Sequence, residues 1–161
     1  MAKISTLAEL YADELKDLWS AQDQMAKALK KIAPQATNAK LAAMLDEAQS
    51  GIAAHTDILK TLIEANGEKL KKEHCKGMEG LAAEAIKHAV DEAPESGAVL
   101  DAAIIAQFQR MTHYGITGFG TVAAFAKALG RDDDAKSLSG AVKDMTRGDA
   151  LMSELAESAI N

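Results

Sequence analysis

Thr6-Leu-Ala-Glu-Leu-Tyr-Ala-Asp-Glu-Leu-Lys-Asp-Leu-Trp-Ser-Ala-Gln-Asp-Gln-Met-Ala-Lys-Ala-Leu-Lys-Lys-Ile-Ala33 is the stretch that decides the fold. Counting from Ile4, its inward positions step by four and three through Ala8, Tyr11, Leu15, Leu18, Gln22, Met25, Leu29 and Ile32. That period is the seam of a helix in a bundle. Ser5 or Thr6 supplies an N-cap, and Pro34 follows the end. One position breaks the apolar run: Gln22, at its middle.

The same spacing recurs three times. A second helix, from about Asn38 to Asn66, carries Leu41, Leu45, Ala48, Ile52, His55, Leu59 and Leu62, with Gly67 as its stop. The polar stretch Gly67 to Gly77 reads as a loop. A short helix from about Met78 to Glu92 follows, closed by Pro94, Ser96 and Gly97. A third long helix, about Ala98 to Leu129, places Ile104, Phe108, Met111, Gly115, Gly118, Val122, Phe125 and Leu129 on its seam. The last runs from Asp132 or Asp133 to Ile160 through Leu138, Val142, Met145, Asp149, Met152 and Ala156. Its acidic start suits the positive end of the helix dipole.

Four helices of about 27 to 32 residues are about 40 to 48 Å long and pack naturally near 20°. The fold class is therefore all-α, an antiparallel four-helix bundle expected to form one domain over residues 1–161. Short links join the first two long helices and the last two. Some thirty residues separate these hairpins, enough for a crossover down the bundle, which is the ferritin-like connectivity.

Composition excludes several functions. The net charge of -6 repels phosphate backbones, and the lysines fall in small groups beside acids, so nucleic-acid binding is not expected. No apolar run approaches the roughly 20 residues of a membrane span. The start of the chain lacks the pattern of a signal peptide. One cysteine, Cys75, forbids an internal disulfide, and a reducing cytoplasm fits best.

Three groups of stretches carry a resemblance: Tyr11-Ala-Asp-Glu-Leu-Lys-Asp-Leu-Trp-Ser-Ala21; His74-Cys-Lys-Gly-Met-Glu-Gly-Leu81; and His113-Tyr114 with Gly118-Phe-Gly-Thr121 and Glu154-Leu-Ala-Glu157. Together they resemble the YciE/YciF family of ferritin-like proteins over nearly the whole chain. The resemblance implies a ferritin-like fold, a homodimer and a link to bacterial stress responses. In relatives that look metal-competent, carboxylates from the four long helices meet in mid-bundle. Where such relatives carry an inward Glu in the first helix, this chain has Gln22; their helix-two His and Glu fall at Ala48 and Gly51. Their helix-three glutamates fall at Thr112 and Gly115, and one helix-four Glu falls at Met145.

Counting ligands from the residues leads the same way. A two-metal centre needs about four carboxylates and two imidazoles facing inward, but the seams offer one His, His55, and one carboxylate, Asp149. An amide such as Gln22 is a poor ligand for a hard cation. No metal and no cofactor are therefore expected. The expected feature is a polar core layer of Gln22, His55, Thr112, His113 and Asp149, in which Gln22, His55 and Asp149 bond one another or trapped water.

His113 is read as an edge-of-core histidine bonded to a neighbouring helix, with a proton-transfer role as the alternative. The costly glycines Gly115, Gly118 and Gly120 are read as sites of close helix approach. His74, Cys75 and Met78 have soft-ligand character but do not close a metal site. Asp132, Asp133 and Asp134 read as a solvated helix start.

The leading expectation is a non-catalytic, stress-associated dimer with a degenerate metal site. One alternative is an iron or manganese oxidase, or a peroxide-consuming protein, using Glu14, Glu47, His55, His113, Asp144 and Asp149. Another is a small-ligand binding module with a mid-bundle cavity beside Ala48, Gly51, Gly115 and Gly118.

Overall fold

A computed structural model describes residues 3–95 and 97–160; Ser96, read above as part of a helix stop, lies outside them. Helix α1 spans Leu7–Ile32 and opens on a reciprocal cap in which Thr6 Oγ1 accepts from Glu9 N–H while the Glu9 carboxylate accepts from Thr6 N–H. The chain enters the bundle only after this cap, so Ile4 is exposed and does not join the seam. A 3₁₀ turn, Ala33–Gln35, takes up Pro34. Helix α2, Ala39–Ala65, starts where Asn38 Oδ1 accepts from Leu41 N–H and stops at Gly67, whose φ of +73° suits glycine.

Helix α3, Lys76–Ile86, begins two residues before the expected start and ends in a π turn, Lys87–Asp91. The cause is Cys75, whose buried Sγ accepts from Met78 N–H at 3.4 Å and caps the helix. Helix α4 spans Gly97–Ala128, and α5 spans Asp132–Leu155 with a closing π turn, Ala156–Ile160.

The long helices form the all-α bundle with the long-crossover, ferritin-like connectivity. Helix α1 packs on α2 and α4, and α5 packs closely on α4 and more sparingly on α2. The start of α1 meets the start of α5, where Tyr11 Oη donates to Asp134 Oδ2 at 3.0 Å. The α1–α2 turn meets the start of α4, where Asp101 accepts from Thr37. Thus α1 and α5 run one way and α2 and α4 the other. The crossover loop follows α1 through Lys16–Glu68 and Lys72–Asp23 ion pairs and a Glu73 N–H to Lys16 carbonyl bond. Helix α3 then lies across α1 and α4.

The core falls into two apolar clusters. One holds Met25, Leu29, Leu41, Leu45, Ile52, Ile104, Phe108, Met111 and Met152, together with Met78, Ala82 and Ala85 of α3. The other holds Tyr11, Leu15, Leu18, Leu59, Ile63, Phe119, Val122 and Leu138, and no residue of α3. His55 on α2 and Thr112 and Gly115 on α4 follow the last buried residue of the first cluster and precede the first of the second, and Gln22 of α1 sits at the edge of the first, one residue past Ala21. The helix pack therefore has a polar waist.

Candidate functional site

Register carries the four helices through the waist at one level. Leu18 of α1 lies where a side chain on Gly118 of α4 would have to be, so Gln22, one turn on, stands about level with Tyr114, two residues from Thr112. A Cβ on Gly115 would lie 3.1 Å from Met145 Sδ, which sets the level of α5. Gly115 and Gly118 thus sit where neighbouring side chains approach closely. Gly120 has nothing within 4 Å, so no approach within the chain accounts for it.

Gln22, Thr112 and His55 are 2%, 4% and 6% exposed. Gln22 Nε2 and Thr112 Oγ1 have no hydrogen-bond partner among the described residues. Gln22, His55 and Asp149 do not bond one another directly.

His55 instead faces Asp144, whose Oδ2 is 3.5 Å from its Nε2, and tilts against the Phe119 ring at 5.8 Å. Burial lowers the His55 pKa, against the pull of Asp144, so the pair is a neutral imidazole beside a carboxylate at neutral pH.

Asp149 belongs to another place. Its Oδ2 lies 2.8 Å from His113 Nε2, its Oδ1 accepts from Gln109 Nε2 at 3.1 Å, and Gln109 Nε2 also reaches Ser153 Oγ at 2.8 Å. The His113 side chain is 63% exposed and that of Asp149 is 17% exposed. This is an edge clamp between α4 and α5. The physical reason is helical phase: the buried positions of α5 are Leu138, Ala141, Met152 and Leu155, a stripe that starts with a step of three and so passes through Met145 and Gly148, where the expected count starts with a step of four and passes through Val142 and Asp149. Gly148 then faces the waist level and Asp149 its flank.

The soft-ligand trio also separates. His74 pairs with Glu79 at 2.6 Å on the surface, and Met78 fills the core. Cys75 Sγ lies 3.0 Å from the Tyr114 hydroxyl, and its backbone N–H donates to Ser20 Oγ. Burial raises the thiol's pKa, and the hydrogen bond to Cys75, together with burial, raises that of Tyr114. Gly77 lets α3 seat there, because a Cβ would come within 2.6 Å of Tyr114 Oη.

Two carboxylates went unread. Asp101, 2% exposed, accepts from Thr37 N–H at 2.7 Å, Thr37 Oγ1 at 2.6 Å and Asn38 N–H at 3.0 Å. Asp134 accepts from Tyr11 and from Asn66 Nδ2, joining α1 and α2 to α5, so it is more than a solvated helix start. A seam count carried back from Ile104 or Leu138 lands on each of them.

Outside the waist, an open cleft of about 550 Å³ runs between α1 and α4, lined by Glu14, Asp17, Arg110, Tyr114, Thr117 and Thr121 among others. Burial, with Asp17 and Asp13 near, raises the Glu14 pKa. Among the described residues, no three His, Cys, Asp or Glu side chains gather as a metal site would require. A two-metal group therefore does not fit the waist: an amide, a hydroxyl, a glycine and a thioether stand where carboxylates would be needed. Among the same residues, no helix is long and apolar enough to cross a membrane.

Residues 6–161 match DUF892, a domain of unknown function. The chain is 33% identical over 162 residues to protein YciF of Escherichia coli strain K12, covering 98% of this chain and 95% of that protein. The solved structure of that E. coli stress protein superposes with a TM-score of 0.88 at 31% identity, covering 96% of both chains. YcfI of Rhodopseudomonas palustris superposes equally, with a TM-score of 0.88 and 31% identity over 94% of this chain and 95% of that one.

Proposed function

Because this chain belongs to the DUF892 family, with the E. coli stress protein YciF among its relatives, we propose that it is a stress-associated, cytoplasmic homodimer that acts without catalysis. Its mid-bundle layer is a degenerate metal site. The observation that supports this reading is the waist itself. A site that held cations would present ionised oxygens inward from facing helices. Here Gln22 and Thr112 present unpartnered neutral polar atoms, Gly115 and Met145 present none, and the nearest carboxylates are turned to the α5 flank. What remains is a bundle whose readable chemistry lies on its outside.

The test is metal analysis after anaerobic reconstitution with iron(II) or manganese(II), followed by gel filtration. The expected result is less than about 0.2 tightly held ion per chain, and a melting temperature unmoved by either metal. About two ions per chain would overturn the proposal.

A further inference from the structure

Helix α4 carries two stripes. One is buried and mostly apolar, through Phe108, Met111, Gly115 and Val122; the other, Arg110, Tyr114, Thr117 and Thr121, has helical spacing too but is polar. The polar stripe meets Glu14 and Asp17, which share one face of α1, and together they line the open cleft of about 550 Å³. Its floor is apolar, because Leu18 lies against Gly118, where α4 has no side chain, and Leu81 of α3 adds a second aliphatic group. The result is a concave surface with charged walls over an apolar floor.

Charges of both signs stand in this cleft without cancelling. Among the described residues, Glu14, Asp17 and Arg110 form no ion pair with one another or with any other group. Lys16, the nearest lysine in the sequence to the two acids, is taken by Glu68. Burial, followed by Asp17 and Asp13, pushes the Glu14 pKa up. Asp17 adds to the burial and hydrogen bonding that raise the pKa of Cys75 and Tyr114 at the head of α3. A positive charge brought between Glu14 and Asp17 would relieve that crowding.

We propose that the cleft binds a small zwitterion, an amino acid or short peptide with a free ammonium group and a free carboxylate. The ammonium lies between Glu14 and Asp17, the carboxylate meets the Arg110 guanidinium, and an aliphatic body rests on Leu18 and Leu81. The lining selects this class. An ammonium group carries several donors for the two carboxylates, and a guanidinium takes a carboxylate through parallel bonds. A bare metal ion lacks ligands, because among the described residues no three His, Cys, Asp or Glu side chains gather. A polyanion is repelled by the two acids, and a simple amine leaves Arg110 unpaired. The volume falls within the roughly 300 to 1,000 Å³ of small-molecule sites.

Isothermal titration of the full chain at low salt tests this, with leucine, glycyl-leucine and alanyl-leucyl-alanine as probes. At least one is expected to bind with a Kd of about 1 mM or lower. Its N-acetylated and C-amidated forms should each bind at least about tenfold more weakly. Glu14→Gln with Asp17→Asn should abolish the preference over the acetylated form and keep that over the amide. Arg110→Gln should do the reverse.

These swaps nearly preserve side-chain size, and circular dichroism checks that each variant folds; the wild-type panel carries the test where one does not. No heat from any probe up to about 10 mM would overturn the proposal. An amide that binds as well as the free acid would overturn it too, because the cleft would then read the amine alone. Variants that leave both preferences intact would refute the placement of the charges. The cleft lies outside the waist, so none of these failures touches the metal-free reading above.

Discussion

Replacing Gln22 by Leu and Thr112 by Val should make the protein more stable. Both side chains are nearly enclosed, and each carries a buried atom with no partner among the described residues. Leaving such an atom unsatisfied costs about 1 to 3 kcal/mol, whereas an apolar group of similar shape in the same place is neutral or favourable. Leu and Val match the two side chains closely in volume, so the gain should be about 1 to 2 kcal/mol each and about 2 to 4 kcal/mol together. The two sites share one layer, so strict additivity is not expected.

For a chain of this size that gain raises the melting temperature by roughly 5 to 12 °C, and it should move the urea midpoint with little change in slope. Gln22→Glu is the counter-test. A carboxylate there meets no cation, so it should cost about 2 to 4 kcal/mol at neutral pH, a loss relieved as acid protonates it. Destabilisation by more than about 1 kcal/mol from either apolar substitution would refute the reasoning, because it would mean that the atoms are partnered in the folded state.

Asp101→Ala removes the acceptor for three donors at the head of α2 and should cost about 2 to 4 kcal/mol by urea titration, with Asp101→Asn recovering part of it. His55 has a lowered folded-state pKa, so the unfolded chain binds the extra proton first. The stability it supports is complete above the ordinary histidine pKa of about 6.5 and is lost as the pH falls below that toward the folded value. His55→Phe should remove that part of the pH dependence in a series of thermal melts. Gly77→Ala presses a methyl group against the Tyr114 ring and should cost about 1 to 3 kcal/mol, with faster hydrogen exchange in α3 than elsewhere.

The elements were legible because each long helix repeats an apolar stripe and carries a recognisable start or stop. Thr6, Asn38 and Gly67 act where their residue types say they should. The crossover could be placed from loop lengths alone. Position within a layer was harder to read. A count that opens with a step of four follows α1 over its length, but on α5 the stripe opens with a step of three, from Leu138 to Ala141, and runs on to Met152 and Leu155, so Asp149 is left on the flank.

Partners of polar groups were harder still. Nothing local says that Asp101 will reach back across 64 positions to Thr37, or that Cys75 will cap α3 and meet Tyr114. A charged residue falling on a seam was the available signal at Asp101 and Asp134, and it points to a buried carboxylate with donors brought from another helix.

The crossover also bears on the order in which the chain assembles. The α1–α2 and α4–α5 hairpins close through short turns, so their pairing needs little loss of chain entropy. The strap between them is fastened by contacts 49 to 55 positions apart: Lys72 to Asp23, Lys16 to Glu68 and Cys75 to Ser20. Those contacts become available only once α1 is helical and presents its outer face. The expected sequence is hairpins first, then their docking across the waist, and the strap with α3 last. The last piece to arrive also supplies Met78, Ala82 and Ala85 to the cluster around Met25 and Phe108, so that end of the core would stay open to water until the slowest intramolecular step is complete.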